Sequence, residues 1–124
     1  MRRKRHGMRV RDDRGASALE FALIAPVLLV LIFGMIEFGF VFQAQLALTH
    51  AAREGARLAS VNKYNAATVV ARAFPLTPAD GLAVASADLG DAIRVTATFP
   101  YEPQVLPWLP AIALHSDATM RKEY

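Results

Sequence analysis

With 124 residues, 54% of them hydrophobic, and a mean hydropathy of +0.27, the chain is too apolar for an ordinary small soluble domain. Its charge of +3 is unevenly held: in residues 1–15 seven cations minus two acids leave +5, so +3 minus +5 leaves −2 for residues 16–124. The absence of cysteine excludes a disulfide-stapled secreted module and thiol chemistry.

Taken in chain order, residues 1–15 form a basic leader. Lys and Arg beside a membrane span stay in the cytoplasm, which predicts an N-terminus inside and the remainder outside. The same run suits anionic headgroups. It lacks the interleaved aromatics of a nucleic-acid site, so no nucleic-acid partner is expected. From Phe21 to Phe42 the one charge is Glu37. These 22 residues make a helix of about 33 Å, enough for a hydrocarbon core of about 30 Å. The run has no polar face and exceeds the roughly 7–15 residues of a secretory h-region, so a membrane-spanning helix is predicted. Pro26 is tolerated in such a helix. Gly34 and Gly39 are five apart and miss the four-residue spacing of tight helix pairs.

Ahead of the span stand Gly15, Ala16 and, fifth after the glycine, Glu20. A basic leader ending in glycine, then a small residue, a glutamate and an apolar run resembles the signal of type IV prepilins. The longer run GASALEFALIAPVLLVLIFGMIEFG, with AAREGAR at residues 51–57, resembles the TadE-like family, minor pseudopilins of tight-adherence (Flp-type) pilus systems. The resemblance is strongest over residues 14–60, and VTATFPY and ATMRKE look like the family's C-terminal pattern. It implies a processing site between Gly15 and Ala16, a prepilin peptidase as partner, and an assembly or recognition role for Glu20. There the new amine of one subunit pairs with the acid of its neighbour. Other pseudopilins or the major pilin, and the assembly platform of a bacterial inner membrane, are the further partners implied. Two other readings stay open. Glu20 can sit at the headgroups as a helix-start acid favoured by the dipole, and the whole can be an uncleaved single-pass anchor for an envelope binding module.

Glu37 is the second acid of the apolar run. Counting only Phe21–Ile36 gives 16 residues, a short span, which predicts Glu37 at the outer interface with its carboxylate turned out to water. With Arg53, Glu54 and Arg57 it is a candidate helix contact. Residues 43–60 are alanine-rich and proline-free, so one helix is expected over residues 17–60, with Phe42, Leu46, Thr49 and Arg53 marking a face.

Asn62 and Asn65 suggest a break, with Asn65 capping a short helix NAATVVARAF. PLTPADG reads as a loop. Three stretches then alternate with period two, GLAVASA, DAIRVTATFPYE and AIALHSDATMRKE, with a turn at Asp88, Gly90 and Asp91. In the proline-rich EPQVLPWLP, Trp108 fits either a plug under the sheet or an interfacial belt, and the plug is the stronger expectation.

The sequence therefore predicts a membrane-anchored α+β chain with four parts. They are a leader (1–15), a transmembrane helix (16–42), its extracytoplasmic continuation (43–60), and a small domain (61–124) with a short helix and a three-stranded antiparallel sheet. His6, His50 and His115 have no ligand spacing, and no nucleophile set or phosphate loop is present. Neither enzyme activity, metal nor cofactor is expected. The resemblance implies a structural role in pilus assembly.

Overall fold

The computed structural model describes residues 12–61, 65–75 and 81–122, with side chains in the first helix described from residue 15. The leader up to residue 11, Asn62 and residues 76–80 of the PLTPADG loop lie outside the described residues. One α-helix, α1, runs Asp12–Ser60, followed by α2 (Ala66–Ala73) and strands β1 (Ala83–Asp88), β2 (Ala92–Tyr101) and β3 (Ile112–Arg121). The predicted α+β class, with its long apolar helix, short helix and three strands, is the observed one.

α1 begins five residues earlier than expected. Glycine inside a helix costs about 1 kcal/mol relative to alanine, too little for Gly15 to stop a helix of this length. Pro26 also lies within it. The chain divides into two compact units, the first ending at Met35 and the second running Ile36–Tyr124. In the first, the large apolar side chains from Leu19 to Met35 are exposed along the helix, and this helix is long and apolar enough to cross a membrane.

The second unit holds the core. Ala44, Leu48, Ala51, Ala52, Ala56 and Ala59 are buried. Their spacing of three or four residues makes one stripe on the helix. Phe42, Leu46 and Arg53, which mark another face, are exposed and Thr49 is half-buried. The reason is side-chain volume. Alanine lets a sheet and a second helix lie close to the backbone of α1, whereas the bulkier Phe42 and Leu46 are left outside. Against the stripe pack Val95, Ala97, Phe99 and Tyr101 of β2 and Leu114 and Ala118 of β3, with Ala66, Val70 and Phe74 from the second helical segment. Phe74 and Phe99 meet edge to face at 4.9 Å. Two polar contacts join helix to sheet: Gln45 Nε2 donates to the His115 carbonyl at 2.8 Å, and Ser116 Oγ lies 3.3 Å from Thr49 Oγ1.

The sheet is antiparallel in the order β1-β2-β3. β2 buries Val95, Ala97, Phe99 and Tyr101, the alternate positions of a strand that shows one face to the core. The β1–β2 turn closes through Leu89 N–H donating to the Ala92 carbonyl at 2.8 Å. Gly90 takes φ +91°, a region that favours glycine, and its N–H donates to Asp88 Oδ1 at 2.9 Å. Lys122 Nζ reaches both carboxylate oxygens of Asp88 at 2.7 and 2.8 Å. That bond, then the Gly90 N–H, holds the Asp88 carboxyl below its ordinary range. Asn65 caps α2 as expected, accepting from Ala67 N–H at 2.8 Å.

Candidate functional site

The most elaborated polar site grows from Glu37. Glu37, Val41, Ala44 and Leu48 recur at four, three and four residues, so the acid heads the buried stripe of α1. Its side chain is turned into the fold, 4% exposed. Tyr101 Oη and Gln104 N–H donate to Oε1 at 2.8 and 3.0 Å. Val105 N–H and Leu106 N–H donate to Oε2 at 2.7 and 3.0 Å. Four donors thus converge on one carboxylate, three of them consecutive backbone N–H groups of the β2–β3 connection. Charge-assisted bonds of this kind are the stronger ones, and together they answer the cost of burying an acid. Burial first, then the bond to Glu37, pushes the Tyr101 phenol up to about 12, so it keeps the proton it donates.

The expectation of an outward-turned Glu37 is corrected here. Two prolines, Pro103 and Pro107, bracket the three donors and help turn the connection back toward the helix. Leu106 is buried beside the clasp while Trp108 is 73% exposed, so the expected plug is Leu106 and Trp108 is free of the core. The signal in the sequence was the 37–41–44–48 spacing; what concealed it was the absence of any local partner. The donors lie 64 to 69 residues away.

The other expected positions are placed as follows. Gly15, Ala16 and Glu20 lie on α1 in the unit that ends at Met35 and are exposed. A Cβ added at Gly15 would meet nothing within 4 Å. Arg53, Glu54 and Arg57 belong to the second unit with Glu37. Arg57 grips Glu54 through Nε and Nη2 at 3.0 and 2.7 Å, an exposed pair worth little to stability. The hydrogen bond to Arg57 lowers the Glu54 pKa and, reciprocally, raises that of Arg57. Arg53 is exposed. Between them Gly55 is buried. A Cβ there would stand 2.5 Å from Val70 Cγ2 and 3.4 Å from the Ala66 carbonyl. Glycine is what lets α2 cross α1 at this point. Among the described residues no three His, Cys, Asp or Glu side chains come together as a metal site.

Residues 15–57 match the family model described as TadE-like protein. That segment is similar to the family, and the match covers about a third of the chain. No curated protein and no solved structure matches the chain. The TadE-like stretch takes in the exposed apolar helix, Glu37 and Gly55, and ends before α2. VTATFPY and ATMRKE fall beyond it. The matched stretch begins with the helix that, among the described residues, is long and apolar enough to cross a membrane.

Proposed function

We propose that this chain is a minor pseudopilin-like subunit that supports assembly of a tight-adherence pilus. The observation that carries the reading is the coincidence of the TadE-like match with a glycine and a glutamate five positions apart at the head of an exposed apolar helix. In this reading a prepilin peptidase cuts between Gly15 and Ala16. The α-amino group released at Ala16 is a cation at the mouth of an apolar helix. A charge there is costly without a partner, and the Glu20 carboxylate of a neighbouring subunit supplies one. Pairing across subunits sets their axial register, while the apolar helices pack side by side. The seven cations of the leader hold the N-terminus on the cytoplasmic face of the inner membrane, with the sheet domain outside. The partners are the peptidase, other pseudopilins or the major pilin, and the assembly platform.

Intact mass and N-terminal sequencing of the membrane-extracted protein test it, beside a Gly15→Val variant. A chain starting at Ala16 in the wild type and at Met1 in the variant is the expected result. A wild-type chain starting at Met1 in cells with an active peptidase overturns it and leaves an uncleaved anchor.

A further inference from the structure

The β2–β3 connection, residues 102–111, is clasped to α1 at the height of Glu37, well below the outer end of the helix's apolar surface. Phe42 lies five residues further along, about 7.5 Å toward the aqueous side. Phe38 and Phe42 are 71% and 56% exposed, and their rings stack at 6.5 Å. Because Glu37 is turned inward, no charge interrupts the lipid-accessible surface of the helix between Phe21 and Phe42. A bilayer that covers this surface reaches past the level of the connection. The connection itself shows Trp108 at 73% and Leu109 at 41% exposure.

The backbone of the connection is prepared for such a place. Of the eight residues Pro103–Pro110, three are prolines without an N–H. Three more donate to Glu37, and Leu109 N–H donates to the Leu106 carbonyl at 3.0 Å. Seven of the eight positions therefore need no water for a donor. Lipid-exposed irregular backbone is excluded only from the hydrocarbon region, so a segment with its donors already met can lie close against it, and tryptophan favours the headgroup depth just outside.

We propose that the Pro107–Pro110 turn is a second membrane contact, seated in the outer headgroup region with Trp108 and Leu109 against the lipid. Continuity with the apolar surface of α1 selects lipid as the occupant, and the proposal rests on α1 spanning the membrane. The Glu37 clasp ties this connection to the same stretch of helix that carries Phe38 and Phe42. With no cation among residues 102–111, the contact draws on burial and not on headgroup charge.

Trp108 is the single tryptophan of the chain, so native fluorescence reads it directly. The full chain is reconstituted in phosphatidylcholine vesicles, with and without lipids brominated near the headgroup end of the acyl chain, and titrated with acrylamide. Blue-shifted emission, loss of intensity with the brominated lipid, and weak acrylamide quenching are expected. Emission of a water-exposed indole, quenched by acrylamide and untouched by brominated lipid, overturns the proposal. A blue shift that fades as the protein is diluted in lipid, without bromine quenching, also overturns it and assigns the turn to a second protein. A Leu31→Trp reporter in a Trp108→Phe background separates the two premises. If it is quenched by lipid brominated near the bilayer centre while Trp108 is not, the span stands and the turn contact falls.

Discussion

At the residue scale the molecule turns on one acid. A buried carboxylate would be a liability if any of its bonds were missing, and Glu37 has four donors. The effects of substitution should be unequal. Tyr101→Phe removes one hydrogen bond to a charged group and should cost about 2 kcal/mol, with the three backbone donors still satisfied. Glu37→Leu strands those three N–H groups together with the phenol, and its thermal midpoint in detergent should fall much further. Equal midpoints for the two variants would mean that the clasp is not what holds the connection. Gln at position 37 keeps an acceptor on one side only, and its midpoint should lie between the two.

At the scale of elements, the packing of α1 against its neighbours depends on small residues. Gly55 is the extreme case, because Val70 stands where a Cβ would go and a β-branched side chain has little rotamer freedom to give way. Helix propensity alone favours Gly55→Ala by about 1 kcal/mol. The clash reverses the sign, so the variant should lose about 1–3 kcal/mol as overpacked cores do. Gly55→Ala with Val70→Ala should recover part of that loss, and chemical unfolding of the single and double variants measures the coupling. A stabilised Gly55→Ala would show that α2 moves aside freely. The strands were legible because β2 alternates Val95, Ala97, Phe99 and Tyr101 with more exposed residues, and because the Asp88–Asp91 turn carries its glycine. The packing face of α1 was not, because it consists mostly of alanines in an alanine-rich run and stands out from its neighbours by no change of hydropathy.

At the scale of the whole molecule, every buried residue among those described lies at Glu37 or beyond it. A fragment of residues 36–124 should therefore fold without the first 35 residues. Dispersed amide resonances and a cooperative unfolding transition would show this, and a collapsed, unstructured fragment would refute it. The fragment should need mild detergent, because Phe38, Phe42 and Trp108 remain exposed.

The sequence by itself determined the long apolar helix, the capped short helix and the order of three strands. Each follows from local physics: an uninterrupted apolar run, an Asn at a helix start, and alternation over consecutive residues. Tertiary structure alone decided which way Glu37 points, which side of α1 is covered, why Gly55 is glycine, and that Trp108 faces outward. Those outcomes depend on groups 15 to 69 residues distant. A carboxylate in an apolar run has no local partner, so only the fold that brings Tyr101 and the 104–106 backbone to it can make burial favourable.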